Sequence, residues 1–206
     1  MTANFSGIIL NTSDNVVVHQ GKVAAITITG PAEELARTET IIEKGRLVIR
    51  KHGKARKSWS NLDVVVVINV TLVTVDELTV NGSGDLHTEG TLMGSDLSVS
   101  LAGSGDLQVS AELTGTASTS VAGSGDVRLS GRCVTHTVRV AGSGDVRAEG
   151  LHARTASVKL SGSGDISVAA DDTLEASISG SGDVRYAGAP KNLVTRITGS
   201  GSVAKL

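Results

Sequence analysis

The 206-residue chain has a net charge of −2 at pH 7 and a single cysteine, Cys133, which excludes an intrachain disulfide and any overall field that would recruit nucleic acid. Apolar residues make up 39% of it but only three residues are aromatic, Phe5, Trp59 and Tyr186, which favours a core of Val, Leu, Ile and Ala. No run of about 18 apolar residues occurs, so we expect no transmembrane segment.

Residues 1–80 contain strand signals separated by short polar segments. These signals are Val16–Val18, Ile26–Ile28, Leu47–Ile49 and Val64–Ile68. The stretch from Pro31 to Ile42 fits either one short helix or a loop followed by a strand. We expect residues 1–80 to be a β-rich N-terminal region that forms the first coils of a larger structure and caps its open end, because an unprotected sheet edge invites aggregation.

Residues 81–206 are organised by a four-residue repeat. Gly-Ser-Gly-Asp occurs at 82–85, 103–106, 123–126, 142–145, 162–165 and 180–183, and Gly-Ser-Gly-Ser follows at 199–202. Successive copies are 18 to 21 residues apart. A unit of this size cannot bury its own apolar side, whereas stacked units can.

The residues around each copy alternate between apolar and polar, the period that marks a strand with one buried face. Two residues before the first glycine stand Val80, Leu101, Val121, Val140, Leu160, Ile178 and Ile197. Directly after the fourth position stand Leu86, Leu107, Val127, Val146, Ile166, Val184 and Val203. A third, weaker apolar column is expected at Leu92, Leu113, Cys133 and Leu151.

These patterns favour an all-β fold, a parallel β-helix-like solenoid with coils of about 20 residues. Equivalent strands would pair in parallel about 4.8 Å apart. A right-handed path is favoured because parallel crossovers are usually right-handed. We expect the N-terminal region, 1–80, and the repeat solenoid, 81–206, to form one continuous domain. The alternative is an antiparallel meander or sandwich with a hairpin period of about 10 residues.

The repeated turns resemble those of the putative auto-transporter adhesin head GIN domain family. The resemblance includes Val-Val-Val-His-Gln-Gly at 16–21, Gly-Arg-Leu-Val-Ile at 45–49 and the closing Gly-Ser-Gly-Ser with Lys205 and Leu206. It implies a β-helix-like fold and an envelope or extracellular location in bacteria, and it brings no catalytic residues. The first residues lack the basic and apolar stretches of a signal peptide, so we expect either a cytoplasmic chain or one that begins after a removed leader.

The aspartates of the repeat are expected to form a column, where neighbouring carboxylates repel by about 1 kcal/mol per pair in water. We call the set the aspartate column: Asp85, Asp106, Asp126, Asp145, Asp165 and Asp183. Hydrogen bonds from backbone amides of the turns would relieve the repulsion, and this structural role is favoured. Calcium between successive coils is the alternative, because it prefers carboxylate and carbonyl oxygens.

A basic run near the N-terminal region is the second candidate site. It comprises Arg50, Lys51, His52, Lys54, Arg56 and Lys57, with Trp59 beside it. Such a run could hold an anionic glycan or phosphate, and an exposed tryptophan can stack on a sugar. The favoured interpretation is a solvated loop between two strands.

Other residue patterns point away from catalysis. Cys133 and His136 have a Cys-x-x-His spacing, but two residues do not make a zinc site, and Cys133 is expected in the core. No nucleophile elbow or P-loop occurs. A column of serines indicates repeat geometry rather than one reactive hydroxyl. We therefore expect no enzyme activity and no cofactor.

Three functions remain open at this point. The favoured one is a non-catalytic envelope or surface interaction module, for which adhesion, homo-oligomerisation and a glycan or cell-surface partner are open alternatives. A purely structural scaffold also fits the monotony of the repeat. A polysaccharide-active β-helix enzyme is the least favoured, because such sites need clustered unlike residues and often aromatic platforms.

Overall fold

The computed structural model describes residues 5–53 and 66–206, and in these residues it is almost entirely β. The strands join into one sheet that winds into a solenoid. The strands are β1 (Gly7–Asn11), β2 (Asn15–Gln20), β3 (Ala25–Thr29), β4 (Thr38–Glu43), β5 (Arg46–Lys51), β6 (Val67–Leu72), β7 (Glu77–Val80), β8 (Leu86–Thr88), β9 (Leu92–Gly94), β10 (Leu97–Gly103), β11 (Leu107–Leu113), β12 (Thr116–Gly123), β13 (Val127–Gly142), β14 (Val146–Gly162), β15 (Ile166–Gly180), β16 (Val184–Ala187), β17 (Asn192–Gly199) and β18 (Val203–Lys205). The helix is α1 (Ala32–Leu35).

Strands from successive repeats pair in parallel and in register. Val121 on β12 pairs with Leu101 on β10 and with Val140 on β13. Each of these aliphatic side chains is buried, so the column before the glycine corner forms a continuous line inside the stack. The predicted parallel solenoid is confirmed, and the antiparallel sandwich is excluded because Val121 and Val140 lie on neighbouring parallel strands.

The column after the corner is also confirmed. Val127 on β13 pairs with Leu107 on β11 and with Val146 on β14, and these three side chains are buried. The two aliphatic columns therefore line two walls of the same interior, and the Gly-Ser-Gly corner turns the chain from one wall to the next.

The predicted third column is wrong. Leu92 pairs with Ala111, and Leu151 pairs with Gly131, whereas Leu113 lies opposite Gly94. Leu92 and Leu113 are thus two positions apart along the strand. The reason is that the coils differ in length after the corner, since Leu86 pairs with Leu107 but Leu92 pairs with Ala111. The pairing of β13 with β14 also shifts register between Arg128 and Ser130.

The N-terminal region forms coils whose order in space differs from their order in the chain. β1 lies between β5 and β7, and β2 lies between β6 and β8, all in parallel. The coil formed by β5 and β6 is therefore outermost, although it follows β1 and β2 in the sequence. Two more strands cover this end, since β3 pairs antiparallel with β6 and β4 pairs antiparallel with β5.

The stretch from Pro31 to Ile42 contains elements of both alternatives considered from the sequence. It forms one helical turn, Ala32–Leu35, followed by strand β4, Thr38–Glu43. Lys51 on β5 ties the turn to the solenoid, with its Nζ 2.9 Å from a carboxylate oxygen of Glu34 and 2.7 Å from one of the buried Asp14.

The interior of the solenoid is aliphatic, as the composition predicted. Among the described residues, the pairing partner of β17 is β15, and Leu193 and Ile197 are 45% and 44% exposed at positions that continue the core columns. In the described part of the chain, no helix has the length and hydrophobicity needed to cross a bilayer.

Candidate functional site

The Gly-Ser-Gly corners stack directly on one another. The carbonyl oxygen of Gly103 accepts hydrogen bonds from the backbone N–H groups of Ser124, at 3.0 Å, and Gly125, at 3.2 Å. Gly123 has a φ of 149°, and a Cβ there would collide with the carbonyl of Gly103. Glycine is needed because only it allows this backbone conformation and this close approach.

The stacked corners bring the six predicted aspartates together in one column. The Oδ1 atom of Asp126 accepts a hydrogen bond from the backbone N–H of Asp145 at 3.3 Å, and Oδ1 of Asp145 accepts one from Asp165 at 2.9 Å. The same contact joins Asp85 to Asp106, Asp106 to Asp126, Asp165 to Asp183 and Asp183 to Ser202 at 2.9 to 3.1 Å. The side chains thus extend the ladder of interstrand hydrogen bonds through the corner.

Arginines occupy the second oxygens of four of the six carboxylates. Arg147 donates to Oδ2 of Asp126 at 2.8 Å and to Oδ2 of Asp145 at 3.0 Å. Arg185 lies 3.2 Å from Oδ2 of Asp165 and 3.5 Å from that of Asp183. The hydrogen bond to Asp126 raises the pKa of Arg147 above its usual range.

At the last corner a serine, Ser202, stands in place of a seventh aspartate and also stabilises the neighbouring carboxylate. Ser202 donates to Oδ1 of Asp183 through its hydroxyl at 2.8 Å and through its backbone N–H at 2.9 Å. These two hydrogen bonds lower the pKa of Asp183 below its ordinary value. The hydrogen bonds and arginines together provide the relief of carboxylate repulsion that the sequence required.

The calcium hypothesis for the aspartate column stays a prediction. Within residues 5–53 and 66–206, no group of three or more His, Cys, Asp or Glu side chains is arranged to hold a metal ion. A cation in the column would have to compete with the amides and arginines already bound to the carboxylates.

Two members of the predicted basic run lie in intramolecular ion pairs. Nε of Arg50 is 2.7 Å from a carboxylate oxygen of Glu39 on the neighbouring strand β4. Burial alone would lower the pKa of Lys51, but the hydrogen bonds to Asp14 and Glu34 outweigh it and raise that pKa. Lys54, Arg56, Lys57 and Trp59 lie outside the described residues.

Cys133 and His136 are both buried, and the prediction of a core cysteine is confirmed. Burial raises the pKa of the Cys133 thiol to about 11 and lowers the pKa of His136 to about 4. The Nε2 atom of His136 lies 3.1 Å from the hydroxyl oxygen of Thr119. A neutral imidazole and a protonated thiol are therefore core groups at neutral pH.

One outer face of the solenoid was not predicted as a site. We call it the serine-rich face; it consists of the outward side chains of β7, β10, β12, β17 and the C-terminal halves of β13, β14 and β15. Its middle row, in spatial order, is Thr79, Ser100, Ser120, Arg139, Lys159, Ser177 and Arg196.

The three cations of this row are exposed, and we call them the basic row: Arg139, Lys159 and Arg196. They border a shallow depression of about 160 Å³ together with Thr137, Ser157, Glu175 and Ser177. The available sequence signal was the outward column between two buried columns, in which small hydroxyl residues are replaced by cations in three of the last four repeats.

The geometry defines a class of protein, a parallel β-solenoid built on Gly-Ser-Gly-Asp corners with an aspartate hydrogen-bond column. The chain belongs to the family described as putative auto-transporter adhesin, head GIN domain, whose model matches residues 4–190. No curated protein matches the chain in a sequence comparison.

Solved structures share the fold. A putative adhesin from Bacteroides fragilis is 22% identical, with a TM-score of 0.87 over 98% of this chain and 93% of that one. A putative lipid binding protein from Parabacteroides distasonis is 27% identical, with a TM-score of 0.74 over 100% and 94%. A putative adhesin from Parabacteroides merdae is 16% identical, with a TM-score of 0.71 over 98% and 92%.

Proposed function

We propose that this chain is a non-catalytic interaction module of the bacterial envelope or surface, with an adhesive role. The observation that carries the proposal is the serine-rich face, a broad array of small polar side chains with an exposed row of cations. Flat sheets of this kind offer many hydrogen-bonding groups to a large partner but no enclosed site for a small one. The family's adhesin description supports the same conclusion.

The arrangement of the acidic groups favours binding over catalysis. Glycoside hydrolysis needs two carboxylates in different roles on either side of a bond. In the aspartate column every carboxylate accepts the same kind of backbone hydrogen bond from the next coil, and four of the six also contact an arginine. All six lie in one column of stacked corners, which is not an arrangement of two carboxylates on either side of a bond to be cleaved. A polysaccharide-active enzyme is therefore the weaker alternative, and an inert scaffold is the other.

A lipid ligand is suggested by the description of the relative from Parabacteroides distasonis. An acyl chain needs an apolar cavity, whereas the void enclosed by Leu97, Val109 and Leu129 is only about 10 Å³. The tight aliphatic packing of the coils favours a ligand on the outside of the solenoid.

Adhesion and catalysis can be separated with the full chain. Fluorescent beads coated with the chain should be retained on surfaces bearing bacterial or host glycans and proteins, and beads coated with an unrelated protein should not. Retention on no surface would favour the inert scaffold. Cleavage of a glycan that Asp126→Ala abolishes would overturn the non-catalytic assignment.

A further inference from the structure

We propose that the basic row binds a linear acidic polysaccharide that lies along the solenoid axis. This inference rests on the proposed function, because it names the class of partner for the serine-rich face. The three cations are Arg139, Lys159 and Arg196, and no residue of the earlier basic run takes part.

The spacing of the cations follows from the register of the strands. Arg139 pairs with Lys159 on the next coil, Lys159 with Ser177, and Ser177 with Arg196. Adjacent strands are about 4.8 Å apart, so the row extends over three such steps in a straight line. Arg139 and Lys159 are one step apart, and Lys159 and Arg196 are two steps apart because Ser177 lies between them. A linear polymer with an anionic group at each step can meet all three cations without bending.

The basic row differs from the arginines beside the aspartate column in having no carboxylate partner in the described part of the chain. Among the described residues, its three members take part in no ion pair, whereas Arg128, Arg147 and Arg185 are all paired with the aspartate column. Arg139 and Lys159 stand side by side and repel each other. A bound polyanion would relieve this repulsion.

The side chains beside the basic row suit a polymer with hydroxyl groups. Thr137 and Ser157 line the depression on one side, and Ser161 and Ser179 are exposed on the other. Hydroxyl side chains can both donate and accept hydrogen bonds, as sugar hydroxyls do. Glu175 also lines the depression, and its carboxylate can accept hydrogen bonds from sugar hydroxyls. The three cations outnumber this one carboxylate.

Other polyanions fit the face less well. Single-stranded nucleic acid is bound by stacking bases on aromatic side chains, and the outward rows of this face contain no aromatic residue among the described positions. Peripheral membrane binding needs apolar side chains that enter the bilayer. The neighbours of Arg139 and Lys159 in the adjacent outward rows on β12, β13 and β14 are Ser, Thr and Ala, and the exposed large apolar side chain in these rows is Val194 on β17, beside Arg196. A sugar polymer with carboxylate or sulfate groups needs neither feature.

The test compares the full chain with the triple variant Arg139→Ser/Lys159→Ser/Arg196→Ser. Serine already occupies this row at Ser100, Ser120 and Ser177, so the variant keeps the local pattern. The matched control is Lys22→Ser/Arg132→Ser/Lys205→Ser, which removes the same charge from exposed cations that are also without ion pairs among the described residues.

Binding is measured by biolayer interferometry on immobilised heparin, polygalacturonate and neutral dextran, and on phosphatidylglycerol vesicles and duplex DNA. We expect binding to heparin or polygalacturonate that weakens with salt, and an affinity at least about tenfold lower in the triple variant but unchanged in the control. Sulfated and carboxylated polymers are distinguished by which of the two surfaces binds.

Three results would overturn the inference. They are no binding to either acidic polysaccharide, an equal loss in the control variant, and binding to DNA or vesicles that equals or exceeds binding to the polysaccharides. If the wild-type chain binds neither acidic polysaccharide but is still retained in the bead assay, the inference fails while the proposed adhesive function survives.

Discussion

His136 is an imidazole in a column otherwise filled by small and aliphatic side chains, between Ala117 and Ala156. Its pKa is lowered from 6.5 to about 4 by burial. The unfolded chain therefore binds a proton at a higher pH than the folded chain does. The stability that the neutral imidazole provides is complete above pH 6.5 and is lost as the pH falls toward 4.

We expect His136 to lower the free energy of unfolding by up to about 3 kcal/mol between pH 7 and pH 4. Urea denaturation gives the unfolding free energy of the wild type and of His136→Leu at each pH in this range. The effect of the histidine is the difference between the two proteins in how steeply this free energy falls as the pH decreases. Carboxylates that lose their ion pairs in acid contribute equally to both proteins and cancel. Parallel curves for the two proteins would show that the histidine is not the cause.

Asp126 makes two kinds of contact that can be separated by substitution. Its Oδ1 accepts the N–H of Asp145, and its Oδ2 accepts from Arg147. Asn keeps an oxygen for the amide, whereas Ala leaves that N–H without its partner, at a cost of about 1–3 kcal/mol. We therefore expect Asp126→Ala to lower the unfolding free energy by about 1 kcal/mol more than Asp126→Asn, measured by chemical denaturation.

Calcium binding predicts a different pattern for the same two variants. In the presence of calcium, Asp126→Asn would then lower the stability nearly as much as Asp126→Ala, because the loss of charge weakens a calcium site. We expect the thermal midpoint of the wild-type chain to be the same in calcium and in a chelator. A rise in calcium that Asp126→Asn abolishes would establish the metal site instead.

At the scale of the secondary-structure elements, the corners limit which residues can be exchanged. Gly123 is the last residue of β12 and has a positive φ. A Cβ added to it would collide with the carbonyl oxygen of Gly103. Gly150 lies within β14, where an added Cβ would be 3.5 Å from the nearest atoms, an ordinary contact. Both substitutions add one methyl group, but only the first forces the backbone to move.

We expect Gly123→Ala to lower the free energy of unfolding by about 1–3 kcal/mol through backbone strain alone. The collision with the carbonyl of Gly103 would add to this loss. Gly150→Ala should be neutral, or stabilising by up to about 1 kcal/mol through the unfolded state. Thermal unfolding followed by circular dichroism measures both. Equal costs at the two positions would mean that the stacked corners are not tightly packed.

The corners also explain which elements could be predicted from the sequence. Val121 and Val127 lie within a few residues of a Gly-Ser-Gly turn, and their columns keep register because every turn has the same length. Leu113 lies farther away, where the coils differ in length, and its predicted column was wrong. The spatial order of β1, β2, β5 and β6 was not predictable, because each of these strands shows alternation but no motif that identifies its neighbour.

At the scale of the whole molecule, the candidate site was only partly accessible from the sequence. Aligning the repeats puts Arg139, Lys159 and Arg196 at equivalent outward positions, but an alignment does not show that these cations have no carboxylate partners among the described residues. Arg147 and Arg185 look similar in the sequence, yet they are bound to the aspartate column. Whether a charged side chain forms an ion pair with the next coil depends on the direction in which the side chain points. The alternation of apolar and polar residues does not specify that direction.

The two ends of the solenoid differ in how they are protected. β3 and β4 cover the N-terminal end, whereas Leu193 and Ile197 on β17 are exposed in the last coil, where the edge of β17 away from β15 has no partner strand among the described residues. Exposed apolar residues along such an edge favour pairing with another chain. We therefore expect weak, concentration-dependent association of two copies of this chain through their C-terminal coils.

The double variant Leu193→Lys/Ile197→Lys should reduce this association, because lysines on an edge strand oppose pairing. Met93→Lys/Val134→Lys is the matched control, since Met93 and Val134 are 60% and 45% exposed and lie away from β17. Size-exclusion chromatography with light scattering, over a range of protein concentrations, gives the mass of each protein. A wild-type chain that stays strictly monomeric, or an equal loss of association in the control, would contradict association through the C-terminal end.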